Sequence, residues 1–113
     1  VVIPVDPEVL QNLQKECSKT NKEICGIIST NQEIFFISNV SKSPLNSFLM
    51  DQAQYFRTLN TLSRSGLGVL CLFHTHPGAT ADPSAADLEF MKKALYPMLI
   101  VSHTSWRYLD GPD

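Results

Sequence analysis

Two histidines one residue apart, His74 and His76, close an apolar run, and because side chains alternate faces along a strand, both imidazoles point the same way while Thr75 points opposite. From there Pro77 and the stretch Gly78-Ala79-Thr80-Ala81 turn the chain into a helix, where Ser84 and Asp87, three residues apart, are neighbours on one face. Asp87 lies one helical turn before Met91, at the margin of the helix's apolar face, where an unpaired carboxylate is expensive to desolvate. A metal ion removes that cost. Two neutral imidazoles and one carboxylate match the open catalytic zinc arrangement, in which three protein ligands at about 2.0–2.2 Å leave a position for water. Calcium and magnesium prefer all-oxygen shells and fit less well.

Hydrolysis at such a site also needs a general base, and the spacing after His74 supplies none that is not already a ligand. Glu23 is the best candidate, as the only carboxylate that begins a strongly apolar strand, where core packing would hold it rigidly. Glu33 is the runner-up on the next strand, while Glu8, Glu16 and Glu89 read as solvated helix-face residues. Ser84 could simply satisfy free backbone N–H groups in a first helical turn, but Asp82 has the better claim to that cap, which leaves Ser84 for chemistry. Cys25 shares a strand face with Glu23 and reads as a buried thiol near the site; His103 reads as structural.

The elements that must position these groups are legible in outline. Asp6-Pro7-Glu8 marks a helix start, with Val9, Leu10, Leu13 and Cys17 at helical spacing. Residues 23–28 and 33–38 read as a β-hairpin across Thr30-Asn31-Gln32. After an irregular segment over 41–47 and a short apolar piece at 48–50, a second helix begins near Asp51. It carries Tyr55, Phe56, Leu59 and Leu62 and closes at Ser65-Gly66. A strand over 69–74, apolar on both faces, implies a sheet buried on both sides. A third helix opens at Asp82-Pro83 with Leu88, Met91 and Leu95 inward, and two strands near 98–102 and 106–109 end the chain. Interleaved helices and strands predict an α/β or α+β domain around one mixed sheet, in three layers at most.

Composition limits what such a domain does. At 113 residues the chain is one domain, 1–113, with an expected radius of gyration of about 13 Å, either standing alone or as a fragment of a longer chain. Nine Lys+Arg against eleven Asp+Glu give a net charge of −2, so no basic surface marks a nucleic-acid or anionic-lipid binder. The apolar runs at 69–73 and 98–101 fall far short of the roughly 20 residues of a membrane helix, and no basic-then-apolar leader is visible after Val1. Three cysteines without close spacing, Cys17, Cys25 and Cys71, fit neither a disulfide framework nor a Cys-rich zinc site, and make a reducing cytoplasm the simplest expected home.

The run His74-Thr75-His76-Pro77, six residues, then Ser84-Ala85-Ala86-Asp87 resembles the JAMM (JAB1/MPN/Mov34) metalloprotease motif H-x-H-P-x6-S-x2-D. Glu23-Ile24-Cys25-Gly26-Ile27-Ile28 is similar to that family's strand beginning with the catalytic Glu. The resemblance implies a curved mixed sheet flanked by helices and one zinc ion held by His74, His76 and Asp87. It also implies Glu23 as general acid/base, with Ser84 orienting the water and stabilising the oxyanion. Asn39, Phe48 before Asp51, and Tyr96-Pro97-Met98-Leu99-Ile100-Val101-Ser102 with Trp106 look most like the lambda-type phage tail-assembly members. The chain has no room for the inserts with which eukaryotic deubiquitinating members grip ubiquitin. Bacterial members that trim ubiquitin-like or sulfur-carrier proteins at C-terminal glycines need none.

The expected function is therefore zinc-dependent hydrolysis of a peptide or isopeptide bond in a protein substrate, either the extended C-terminal tail of a ubiquitin-like protein or a phage tail-assembly protein. An extended substrate strand could add to a sheet edge beside the metal. Two other readings share the fold: a catalytically silent interaction scaffold, whose members typically lack these ligands, and a RadC-like domain, which usually carries Ser-Gly where this chain has Gly78-Ala79.

Overall fold

The computed structural model describes residues 3–110 and shows eight elements in chain order. These are α1 (Pro7–Cys17), β1 (Cys25–Ser29), β2 (Ile34–Ile37), α2 (Gln52–Arg64), β3 (Val69–Thr75), α3 (Ala85–Met91), β4 (Met98–Val101) and β5 (Trp106–Leu109). One five-stranded sheet runs β2-β1-β3-β4-β5; every neighbouring pair is antiparallel except β3 and β4, which are parallel because α3 crosses between them. The domain is α+β, as expected, and its radius of gyration is 13.1 Å.

The alternation of side chains along the strands builds two cores, one on each face. Ile28, Cys71, Phe73, Leu99 and Val101 meet Val9 and Leu13 of α1. Ile27, Leu72, Met98 and Ile100 meet Leu62 of α2 and Met91 of α3. The three layers are thus α1, the sheet, and the pair α2 and α3. On α2 the inward set is Tyr55, Leu59 and Leu62; Phe56, expected among them, lies about 100° around the helix and is exposed. Gly26 is required by close approach: a Cβ there would sit 2.1 Å from the Phe35 carbonyl oxygen and 2.7 Å from the Phe73 ring.

Helix ends follow the expected signals in two cases and depart in one. Pro7 opens α1, although Asp6, expected to cap it, makes no side-chain capping bond, and the Asp51 carboxylate accepts the Gln54 amide at the start of α2 (2.9 Å). Gly66, at φ 73°, closes α2, with Leu67 N–H donating to the Leu62 carbonyl and Gly66 N–H to that of Ser63. The third helix, however, starts at Ala85 with Ser84 as its cap, and Asp82 instead takes bonds from Thr80 and Arg107. It stops at Met91. Leu88, expected inward, is exposed because the face turned to the sheet is the one through Asp87 and Met91; Leu95, also expected inward, lies past the end of the helix and is exposed.

Candidate active site

The C-terminal end of β3 meets the first turn of α3 on the sheet face that α2 and α3 cover. His74 is fully buried on that face, and His76 follows one residue beyond the strand, its N–H still donating to the Val101 carbonyl at 2.9 Å. Asp87 arrives through a capping box: its N–H donates to Ser84 Oγ (3.1 Å), and its Oδ2 accepts the Ser84 N–H (2.9 Å). Held this way, Asp87 sets Oδ1 3.1 Å from His74 Nε2 and Oδ2 3.2 Å from His76 Nε2, and the two Nε2 atoms are 3.2 Å apart. The Ser84 oxygen, expected to be free of capping, therefore has a capping bond, and Ser84 aims the carboxylate.

Glu23 stands at the same end of the sheet. Its ligand oxygen and the ring nitrogens of His74 and His76 all lie within 4.8 Å of one another, and its side chain is buried. It is two residues ahead of β1 rather than first in it, so strand packing does not hold it. The Glu23 N–H donates to the Pro44 carbonyl at 2.7 Å, and Asn39 Nδ2 donates to the Glu23 carbonyl at 2.9 Å. Next door, Ile24 exchanges bonds with Thr75, whose Oγ1 accepts the Ile24 N–H and whose own N–H donates to the Ile24 carbonyl. Glu33 lies at the turn end of the hairpin, since β1 pairs Ile28 with Ile34 there and Cys25 with His74 at the site end. It is not brought to the cluster, nor is the exposed His103.

Tautomers follow from the far ring nitrogens. His76 Nδ1 is 3.0 Å from the Thr80 carbonyl oxygen and His74 Nδ1 is 3.3 Å from Met98 Sδ, and neither partner carries a proton to give. Each neutral imidazole therefore keeps its proton on Nδ1 and turns its Nε2 lone pair toward the other and toward the Asp87 carboxylate. Two ring nitrogens and the two oxygens of one carboxylate, meeting at 3.1–3.2 Å, call for a cation between them. Ligands at zinc distances in a tetrahedron stand about 3.3 Å apart, so the donor set and its spacing fit zinc.

The ionisation of these groups reflects the crowding. Burial, partly offset by His76 and reinforced by the Asp87 charge, pushes the Glu23 carboxyl up to about 7. Burial opposes the charged form of Asp87, yet the imidazoles, which donate to it from Nε2 when they are protonated, and the Ser84 amide hold it well below the carboxylate range. Burial lowers His74, whereas the bond its protonated form makes to Asp87 raises His76. Cys25, opposite His74 across the β1–β3 pair, has its thiol pushed up to about 12 by burial and the Glu23 charge, and its Sγ donates to the Ile37 carbonyl. It is an inert wall rather than a nucleophile.

Three contributors carry no chemical signature in the sequence. Phe48 stacks on His74 with ring centroids 4.3 Å apart and 23° between planes. Met98 is the Nδ1 partner of His74. Asn39 uses its whole hydrogen-bonding capacity on the loop behind Glu23, donating to the carbonyls of Glu23 and Ser47 and accepting the amides of Ser41 and Leu49. The position of Asn39 at a strand end was a signal that could have found it.

Comparison with known proteins gives the family and the fold. The family described as prokaryotic homologs of the JAB domain matches residues 7–110. The chain is 34% identical over 58 residues, 51% of its length and 39% of the other's, to a probable TtuB-protein conjugate cleaving protease of Thermus thermophilus. It is 31% identical over 97 residues, 82% of its length and 69% of the other's, to a desampylase of Pyrococcus furiosus. The chain thus spans about two fifths of the Thermus protein and about two thirds of the Pyrococcus one. A solution structure of a Desulfitobacterium hafniense protein superposes with a TM-score of 0.74 at 21% identity, covering 92% of this chain and 77% of that one, and shares the fold.

Proposed function

The chain belongs to the prokaryotic JAB-domain family, and we propose that it is a zinc-dependent peptidase cleaving a peptide or isopeptide bond at the C-terminal tail of a ubiquitin-like protein. The observation that carries this reading is the convergence of two imidazole lone pairs and a buried carboxylate, with a second buried carboxylate beside them. Relatives named for conjugate cleavage and desampylation support the substrate class. The likeness to phage tail-assembly members rests partly on Asn39 and Phe48, which here brace and wall the cluster whatever its substrate. A tail-assembly protein is therefore the alternative substrate to include in the test.

In this reading His74, His76 and Asp87 hold the ion. Zinc, when bound, supplies Lewis-acid activation of water and of the scissile carbonyl. Glu23 accepts a proton from the attacking water on a carboxylate oxygen and passes it to the leaving amine, a task suited to a carboxyl pushed up to about 7. Ser84 accepts the Asp87 amide but has no acceptor for its own hydroxyl proton among the described residues, so that proton is available to the carbonyl oxygen as charge develops there. Phe48 and Met98 keep the His74 ring oriented and dry on two sides. Three free, buried thiols suit a reducing cytoplasm, and no described helix is long and apolar enough to cross a membrane.

Elemental analysis of protein purified without added metal or chelator, with Asp87→Ala alongside, tests the centre. About one zinc per chain, lost in the variant, is expected for a three-ligand site. Glu23→Gln should keep the zinc and lose cleavage of ubiquitin-like fusions and lysine-linked conjugates by about 10²–10⁴-fold. Absence of zinc after titration would overturn the metal reading, and a Glu23→Gln protein that cleaves at the native rate would remove Glu23 from the chemistry.

A further inference from the structure

Beside the cluster, an apolar groove of about 330 Å³ opens between the start of α2 and the end of α3, with Phe48, Leu49, Tyr55, Phe90, Ala94 and Tyr96 among its walls. Phe48 and Phe90, their rings 5.7 Å apart, also wall the small cleft that Ser84 and Asp87 line, and Phe48 is the ring stacked on His74. The groove therefore begins one aromatic ring away from the imidazole. Its rim leaves large apolar side chains in water: Leu49 is 56% exposed, Phe90 42% and Leu95 89%. Gathered on one concave surface, they mark a binding site rather than scattered surface residues. Among the lining residues only Lys93 carries a charge, and it forms no ion pair among the described residues.

We infer that this groove is the subsite for a large uncharged side chain of the polypeptide being cut, seated beside the bond presented to Glu23; the inference rests on the hydrolytic reading of the cluster. Continuity through Phe48 makes the occupant part of the same molecule that reaches the cluster. The groove's walls select an apolar side chain, and the Lys93 ammonium disfavours a lysine or arginine in that position. Burying one large apolar side chain is worth about 10- to 100-fold in affinity or in kcat/KM over a small polar one.

The test uses blocked pentapeptides, Gly-Gly-X-Gly-Gly with X as Phe, Leu, Ser or Lys, titrated into the labelled protein while backbone amide resonances are followed, and the same X series placed around a cleavable amide. Phe and Leu should shift residues 48–50 and 93–96 and bind at least tenfold more tightly than Ser or Lys. Leu49→Asp and Leu95→Asp, changes at exposed positions that leave the fold intact, should abolish the preference. Ser or Lys binding as well as Phe, or Phe shifting other residues, would overturn the subsite. Groove resonances that shift on dilution of the protein alone would assign the surface to a second copy and overturn it as well. Selective binding without hydrolysis of any amide keeps the subsite and removes the hydrolytic reading; hydrolysis with no side-chain preference does the reverse.

Discussion

Along β3 the odd residues Cys71 and Phe73 face α1, and the even residues Leu72 and His74 face α2 and α3. The two faces have the same strand backbone and similar burial, yet they end differently. On the α1 side the core stays apolar up to Val101, and the polar residue at the strand end, Thr75, is spent on bonding to Ile24. On the other side the core stops at Leu72 and Ile100, and the space beyond holds two imidazoles and a carboxylate, bounded by Phe48. The difference lies in the covering helices. α1 runs 11 residues and seals its face, while α3 runs seven and begins at the site, so its first turn supplies Asp87 where a longer helix would supply another apolar residue.

If one face is for stability and the other for chemistry, substitutions on β3 should separate the two. Phe73→Ala empties a fully buried position against α1, where its ring also meets Phe36 edge-on at 5.8 Å, and should cost about 3–5 kcal/mol in urea unfolding. Zinc content per folded chain should not change. Loss of zinc in the folded variant would show that the faces are coupled through the strand and would break the comparison.

A somewhat smaller effect is expected from alkali on the sealed side. Burial pushes the Cys71 thiol up to about 12, so the folded chain holds that proton more tightly than the unfolded chain does. Its contribution is complete below the ordinary thiol value and drains as the pH rises toward about 12. On the order of 2–4 kcal/mol should be lost over that interval. Cys71→Ala, slightly less stable at neutral pH, should make the alkaline limb of the unfolding curve shallower, with Cys25 supplying the slope that remains. An unchanged limb would mean that water reaches β3 from the α1 side.

How much of this was legible in the sequence differs between the same two faces. The α1 side follows from helical and strand periodicity, and Pro7, Gly66 and the β-branched runs mark their element ends because backbone conformation is a local property. The histidine pair, Ser84, Asp87 and Glu23 stood out as candidates because few other arrangements use those residue types at that spacing, and the structure gathers the two histidines with Asp87 and Glu23. The register of α3 was not. Leu88 and Leu95 carry the helical period as well as Met91 does, and only the sheet, by receiving Asp87, decides which face turns inward. Phe48, Met98 and Asn39 escaped assignment for the same reason: an ordinary residue acquires a role at the site only from what the fold sets against it.

Met98 gives the finest test of the division, since its backbone lies in the core and its sulfur touches the chemistry. It is buried among Leu72, Ile100 and their neighbours, yet its Sδ is the only acceptor for His74 Nδ1 among the described residues. Met98→Leu conserves volume and should cost less than about 1.5 kcal/mol in stability. It leaves the Nδ1 proton without an acceptor, so the ring is no longer fixed with Nε2 toward Asp87, and zinc affinity in a chelator competition should fall about 10- to 100-fold. Met98→Gln returns an oxygen acceptor on a side chain of similar length. It should bind zinc more tightly than Met98→Leu even where its buried amide lowers stability. If zinc affinity instead tracks stability across the three proteins, Met98 serves only the core, and the boundary between the packed and the reactive parts of that face lies at His74 itself.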